Sequence, residues 1–115
     1  ISIDPSNKQN GALELARNKH RNGLIGDMFK PISPEVVDSL NWEMFETDPL
    51  DIIIFDSYTP HRSSKNFSNN RRRMLFLTYN YASEGDVREK YFNDKRKSFP
   101  PDIERDGNTN YSYKI

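Results

Sequence analysis

The sequence of 115 residues contains no cysteine, which excludes disulfide bonds, zinc–thiolate sites and thiol nucleophiles together. No apolar run approaches the roughly eighteen residues that a membrane-spanning helix requires, and no signal peptide is evident. Seventeen basic and seventeen acidic side chains cancel, which argues against nucleic acid or an anionic membrane as the main partner. We therefore expect a cytoplasmic protein without nucleic-acid or membrane partners.

The residues that are present indicate a small folded unit. Thirteen Phe and Tyr residues accompany a charged fraction of 30%, and disordered chains carry fewer aromatics. The charge is uneven, because residues 1–60 hold five basic and ten acidic side chains and residues 61–115 hold twelve and seven. The chain opens on Ile-Ser-Ile-Asp, which resembles the end of a strand. We therefore expect residues 1–115 to form a single partial domain whose N-terminal half lies upstream.

Short strands separated by long loops dominate the predicted secondary structure. Ser33 as N-cap and Pro34 at the first helical position predict one helical turn, and Ser83 and Asp86 are candidate caps of a helix over 83–99. Strands are predicted over 12–16, 41–46, 51–56, 72–81 and, as a last short strand, 111–115. The segment 51–56 is apolar on both faces and is therefore expected to be buried. A fourteen-residue loop starts at Ser57. This pattern predicts an all-β sandwich or barrel with minor helices.

The basic half begins with a histidine followed eleven residues later by the middle one of three arginines. A solvated loop and a structural histidine are the simplest explanation of His61 and Arg71–Arg73. However, strand alternation over 72–81 places Arg72 on the face of Met74, and an arginine there is costly unless it holds an anion. Arginine suits a carboxylate, through two parallel hydrogen bonds. A histidine and an arginine facing one cavity would suit a metal-bound dicarboxylate.

Three segments carry a resemblance to a known family. The stretch "TPHRSSKNFSNNRRRMLFLTYN" (59–80) resembles the second half of the site in the phytanoyl-CoA dioxygenase family of iron(II)- and 2-oxoglutarate-dependent oxygenases. The matched residues, in order and spacing, are His61, Ser63, Asn66 and Arg72. "QNGALELARNKH" (9–20) is similar to the family's Asn-Gly turn and next strand, although Arg17–His20 departs from it, and "KRKSFPPDIER" (95–105) is similar to the tail of small-molecule members, including phosphonate hydroxylases.

The resemblance implies the C-terminal half of a double-stranded β-helix, or jelly roll, with 83–99 as an appended helix. It implies His61 as an iron(II) ligand, Arg72 as the partner of the far carboxylate of 2-oxoglutarate, and Ser63 as a second hydrogen bond to that carboxylate. The cosubstrates would be 2-oxoglutarate and O2, and the substrate a small organic molecule.

The neighbouring polar residues are expected to have structural roles. Asn66 is expected to fix the loop, and His20 to be a loop histidine. Arg71 and Arg73 flank Arg72, so strand alternation turns both away from its face and predicts surface charges or ion pairs.

Two of the family's three iron ligands are absent from this chain. The family supplies them as His-x-Asp or His-x-Glu, whereas His20 is followed by Arg-Asn and His61 by Arg-Ser. We expect the missing pair upstream, do not favour Asp56 as a substitute, and expect residues 1–115 alone to be inactive. The alternative function is a non-enzymatic β-sandwich binding module whose basic patch, Arg71–Arg73, holds an anionic partner.

Overall fold

The computed structural model describes residues 1–27, 30–98 and 100–109, and the chain divides into two compact units, Ile1–Leu77 and Thr78–Ile115. The predicted C-terminal strand 111–115 lies outside the described residues. Within the described part, no helix is both long enough and apolar enough to cross a membrane.

The first unit is built on a three-stranded antiparallel sheet. The strands are β1 (Leu13–Ala16), β2 (Trp42–Phe45) and β3 (His61–Ser63), in the order β2-β1-β3. β1 is the central strand, with both of its edges paired, and its Leu13 and Leu15 side chains are buried. The predicted strands 12–16 and 41–46 are confirmed, and the small antiparallel sheet is consistent with an all-β fold.

The pairing of β1 with β3 belongs to a longer register between residues 1–16 and 60–75. Leu15 lies opposite His61 in the sheet, and Ser2 lies opposite Met74 at an isolated bridge. The two segments are therefore antiparallel with one constant register. Backbone hydrogen bonds from Phe67 N to Gln9 O and from Ala16 N to Pro60 O fall in the same register. The part of the predicted loop that comes after Pro60 therefore runs antiparallel beside residues 1–16.

A compact turn interrupts this paired segment. A 3-10 helix, Lys8–Asn10, is capped by the side chain of Asn7, which accepts hydrogen bonds from Gln9 N and Asn10 N. Gly11 follows with φ +84°, a left-handed conformation that favours glycine. The Asn-Gly pair predicted as a turn thus ends a 3-10 helix.

Three strand and loop predictions differ from the structure. Residues 51–56 form no strand, and Ile52 and Ile54 are 62% and 90% exposed, because no described layer covers their side chains. The predicted fourteen-residue loop contains β3, which gains its strand geometry from pairing with β1. The predicted strand 72–81 is reduced to one bridge at Met74, because the last backbone pairing of this segment among the described residues is that of Leu75 with Ile1.

Two α-helices accompany the strands. In the first unit, α1 (Pro34–Ser39) has Ser33 as its N-cap residue and Pro34 at its first turn, as predicted. In the second unit, α2 (Arg88–Ser98) begins later than the predicted start at residue 83. Gly85, with φ +76°, ends a preceding 3-10 helix, and the Asp86 carboxylate accepts a hydrogen bond from Arg88 N at 3.1 Å. The Val87 carbonyl accepts the first intrahelical hydrogen bond, from Tyr91 N, so Asp86, one of the two candidate caps, lies one residue before the N-cap position.

Candidate active site

His61 is the first residue of β3 and keeps an exposed side chain. The strand holds it in place because Leu15 of β1 lies directly opposite. The Phe55 ring packs against the imidazole, with 5.2 Å between ring centroids. The histidine is thus held by the strand and by one aromatic neighbour while remaining accessible to a ligand.

A backbone carbonyl fixes the tautomer of this imidazole. His61 Nδ1 lies 3.0 Å from the carbonyl oxygen of Thr59, which can only accept a hydrogen bond, so Nδ1 carries the proton. In the neutral ring the lone pair is then on Nε2. Metal-binding histidines commonly have this arrangement, in which one ring nitrogen donates to a carbonyl and the other binds the ion.

Ser63 lies two residues after His61 on β3, so the two side chains project from the same face of the sheet. Leu13 is opposite Ser63, and the serine is exposed. Arg62, between them, projects from the other face, where its guanidinium pairs with Glu14 and lies 4.3 Å from the centroid of the Trp42 ring. The sheet therefore separates the predicted ligand-binding side chains from an ion-paired arginine.

Arg72 is half-buried and incompletely satisfied. Its Nη1 lies 3.1 Å from the sulfur of Met74, a weak acceptor, which shows that the two side chains share a side of the chain. Its Nε is buried and has no hydrogen-bond partner among the described residues. Ser6 Oγ is the other such buried atom in the described part, but a hydroxyl can rotate toward alternative acceptors, whereas the Nε–H of a guanidinium has a fixed direction.

The arginines on either side of Arg72 are exposed, whereas Arg72 is half-buried. Arg73 Nε and Nη2 donate to the two carboxylate oxygens of Asp4, each at 2.8 Å, and its side chain is exposed. Arg71 is exposed as well. The predicted alternation is confirmed for these positions, with Arg73 in an ion pair.

Asn66 fixes the loop between the two predicted ligand-binding positions. Its Nδ2 donates to Asn70 O at 2.7 Å, and its Oδ1 accepts from Ser68 N at 2.9 Å. The loop-fixing role predicted for Asn66 is confirmed. His20, at the start of an exposed 3-10 helix, His20–Asn22, is the loop histidine that was expected.

Among the described residues, His61 is the one predicted iron ligand. No group of three or more histidine, aspartate or glutamate side chains that could hold a metal occurs in the described part of the chain. Asp56, the disfavoured substitute, is engaged locally, since its Oδ1 accepts a hydrogen bond from Tyr58 N at 2.7 Å. Sequence reasoning missed the Thr59 carbonyl, which orients the His61 ring and for which the sequence has no signal.

Comparisons with known proteins relate the chain to oxygenases. It is 40% identical over 113 residues to a 2-aminoethylphosphonate dioxygenase from an uncultured bacterium, an alignment covering 97% of this chain and 43% of that protein. It is 42% identical over 100 residues to a methylphosphonate hydroxylase from Gimesia maris, covering 86% and 38% of the two chains. It is 25% identical over 103 residues to the dioxygenase lolE1 from Epichloe uncinata, covering 89% and 40%.

These similarities support the predicted relationship at the level of oxygenases. The chain spans about two-fifths of the length of the curated relatives it matches. No protein-family model and no solved structure matches it. None of these three relatives is named as a phytanoyl-CoA dioxygenase, so that finer assignment stays a prediction, as do the jelly roll and the single partial domain.

Proposed function

We propose that the full-length protein is an iron(II)- and 2-oxoglutarate-dependent dioxygenase that hydroxylates a small organophosphonate. The observation that carries the proposal is the half-buried guanidinium of Arg72, whose Nε has no partner among the described residues. A buried donor of this kind costs about 1–3 kcal/mol or more when left unsatisfied. The carboxylate of a bound cosubstrate would satisfy it through a charge-assisted hydrogen bond.

The residues present fit the groups that this reaction needs. His61 offers Nε2 to iron(II), and its Nδ1–H, held by the Thr59 carbonyl, keeps the ring oriented. Arg72 would hold the far carboxylate of 2-oxoglutarate, and Ser63 would donate a second hydrogen bond to it. When bound, iron(II) and 2-oxoglutarate supply the oxygen chemistry: O2 and 2-oxoglutarate yield succinate and CO2 while a substrate C–H bond becomes C–OH. The remaining two iron ligands are expected upstream of Ile1.

The odd spacing of His61 and Arg72 would place them on opposite faces of a regular strand. The segment between them is not regular, because the Asn66 hydrogen bonds fold residues 66–70 into a turn. That turn runs beside the 3-10 helix, Lys8–Asn10, of the paired segment. The alternation of side chains between His61 and Arg72 is therefore interrupted, and a spacing of eleven residues is compatible with both side chains lying on one face.

A series of pairs and contacts supports that shared face. Leu15 lies opposite both His61 and Glu43, so these three side chains share one face of the sheet. Beyond the end of β2, Thr47 pairs with Ser6 at an isolated bridge. Thr47 Oγ1 lies 2.6 Å from Ser2 Oγ.

The series continues from Ser2 to the arginine. Ser2 is opposite Met74, and the Met74 sulfur is the atom against which Arg72 Nη1 lies. We infer from these pairs that His61 and Arg72 open on a common side of the first unit.

The phosphonate substrate rests on the relatives. Two of them are named for a phosphonate, 2-aminoethylphosphonate and methylphosphonate, and they align with 97% and 86% of this chain. A phosphonate is a small anion, consistent with the predicted small-molecule substrate.

The alternative of an anion-binding module is not favoured by the arginine contacts. A three-arginine patch would need free guanidiniums at 71, 72 and 73. Arg73 is instead paired with Asp4, and Arg72 is half-buried against Met74. These contacts leave Arg71 as the exposed member of the set without an ion pair among the described residues.

The test uses the full-length protein with iron(II), 2-oxoglutarate and O2, and either methylphosphonate or 2-aminoethylphosphonate. We expect succinate and hydroxylated phosphonate to form in equal amounts. His61→Ala should abolish both products, whereas His20→Ala, a matched change at the other histidine, should leave them within about twofold of the wild type. Turnover that survives His61→Ala would refute the ligand assignment, and succinate formation uncoupled from every phosphonate would refute the substrate class.

A further inference from the structure

Gly11 makes an unusually close approach to the segment that joins His61 to Arg72. A Cβ atom placed on Gly11 would lie 2.3 Å from the carbonyl oxygen of Ser64 and 3.2 Å from its carbonyl carbon. Both atoms are backbone, so a rotamer change of Ser64 cannot relieve the contact. Any side chain at Gly11 must therefore displace one of the two backbone segments.

The turn that carries Gly11 is the less yielding partner. Asn7 caps its 3-10 helix, and the Asn10 side chain reciprocates by accepting from Asn7 N at 2.7 Å. Asn10 is 4% exposed and donates from Nδ2 to Pro5 O at 2.8 Å. A displacement at Gly11 would have to break this buried hydrogen-bond network, which is costly.

The facing segment is least constrained between Ser63, the last residue of β3, and Phe67, whose backbone N–H donates to Gln9 O. β3 is paired with β1 through Ser63, whereas residues 64–69 form no strand, and Ser64 and Lys65 are exposed. Displacement therefore falls on the stretch after Ser63 and before Arg72, and leaves His61 in place.

We propose that Gly11 is a positioning residue for 2-oxoglutarate binding. Its close packing against Ser64 sets where Arg72 lies relative to His61. This inference rests on the proposed function. It adds that Gly11, which would touch neither the cosubstrate nor the metal, sets the distance between His61 and Arg72. Positioning errors of about 1 Å can cost roughly a hundredfold in activity, so a smaller displacement should be measurable in cosubstrate affinity.

The chain offers a matched control for Gly11→Ala. Gly26 has the same φ of +84°, but a Cβ there would have none of the described residues' atoms within 4 Å, apart from its chain neighbours. Gly11→Ala and Gly26→Ala therefore impose the same backbone strain, and only the first creates a steric contact. In the full-length protein, anaerobic titrations should measure 2-oxoglutarate affinity in the presence of iron(II) and iron(II) affinity without cosubstrate.

We expect Gly11→Ala to weaken 2-oxoglutarate binding about tenfold or more, with iron(II) affinity changed less than about threefold. Gly26→Ala should leave both affinities unchanged. Asparagine tolerates positive φ, so Gly11→Asn and Gly26→Asn repeat the comparison with less strain and should give the same contrast.

A second variant changes the Ser64 side of the contact and tests the positioning role even if the Gly11 variants do not fold. Ser64→Gly combined with Lys65→Gly leaves the turn intact and loosens the facing segment at two exposed positions. We expect a loss of about two- to fivefold in 2-oxoglutarate affinity, with iron(II) affinity kept. Unchanged cosubstrate affinity in this variant, or parallel losses of iron(II) and 2-oxoglutarate affinity in Gly11→Ala, would overturn the inference.

An Arg72→Ala measurement separates this inference from the proposed function. If Arg72→Ala does not weaken 2-oxoglutarate binding, the proposed function fails, and the positioning role with it. If Arg72→Ala weakens binding and Gly11→Ala does not, the proposed function stands and the positioning role is wrong.

Discussion

The guanidinium of Arg73 binds the carboxylate of Asp4 in a bidentate arrangement, and the Arg73 backbone N–H donates to the same carboxylate at 2.8 Å. Asp4 is thereby fully engaged by the outward-facing arginine. The adjacent Arg72 finds no carboxylate partner among the described residues. The pair thus attaches the N-terminal segment to residues 73–75 and leaves the inward arginine for a ligand.

The first prediction concerns the pH dependence of this pair. Hydrogen bonds from Arg73 lower the pKa of Asp4 from its ordinary value of 3.8 to about 2. Because the folded-state pKa lies below the unfolded one, the stabilisation is fully present above about pH 4 and is lost as the pH falls towards 2. Asp4→Asn should therefore lower the free energy of unfolding at pH 6, and its difference from wild type should shrink between pH 4 and pH 2.

Urea denaturation across this pH range measures that difference. Arg73→Gln is the partner control, and the double variant should be no less stable than the less stable single variant. A deficit in Asp4→Asn that stays constant from pH 6 to pH 2 would contradict the predicted linkage.

The second prediction separates the three arginines by function. Arg72→Ala should weaken 2-oxoglutarate binding by about 2–5 kcal/mol, because a buried charge-assisted pair is lost. Arg72→Lys should recover only part of the affinity, since an ammonium cannot form the two-pronged contact. Arg71→Ala, at an exposed neighbouring position, is the control and should bind normally in the same titration. Equal losses at 71 and 72 would indicate a general effect of positive charge.

The third prediction is that residues 1–115 alone form no active oxygenase. A metal held by one imidazole and solvent is bound weakly and unselectively, and the described residues contain no group of three candidate ligands. Large exposed apolar side chains, including Leu50 at 82%, Ile54 at 90% and Phe67 at 80%, should also make the chain poorly soluble. The measurement is iron-dependent succinate formation. Turnover that is lost on chelation and in His61→Ala would point to Asp56 as a further ligand.

The fourth prediction uses the single tryptophan as a reporter of the sheet. The Arg62 guanidinium lies over the Trp42 ring and pairs with Glu14. Arg62→Met keeps the aliphatic stem and removes both interactions, so it should destabilise the first unit by about 1 kcal/mol and change the tryptophan emission. Arg21→Met, at an exposed position, is the control. An unchanged urea midpoint in Arg62→Met would show that the stacking contributes no stability.

Local sequence signals predicted the elements whose structure depends on local chemistry. Ser33 and Pro34 specify the start of α1, and alternation specifies β1 and β2. Residues 51–56 show the limit of such signals, because Ile54 is apolar by sequence yet 90% exposed. Burial depends on a covering layer, and a run of β-branched residues indicates only a preference for one.

The sequence indicates candidate site residues but not their arrangement. The spacing of His61 and Arg72 indicated a ligand pair, but the register between 1–16 and 60–75 depends on contacts between residues distant in sequence. β3 was missed because His-Arg-Ser has no strand preference of its own and becomes a strand through Leu13 and Leu15. The Thr59 carbonyl is a backbone group, which a sequence pattern cannot distinguish from any other.

The long register between the two ends of the first unit has a consequence for synthesis on the ribosome. Ile1 hydrogen-bonds to a residue 74 positions later, Leu75, so residues 1–16 are made well before their partner exists. At about 5–20 residues per second, Ile1 waits roughly 4–15 s until Leu75 has been added. β2 becomes available first and can pair one edge of β1, whereas the edge that positions His61 and Arg72 is completed last. During that interval the emerging chain should be most susceptible to chaperone binding and to aggregation.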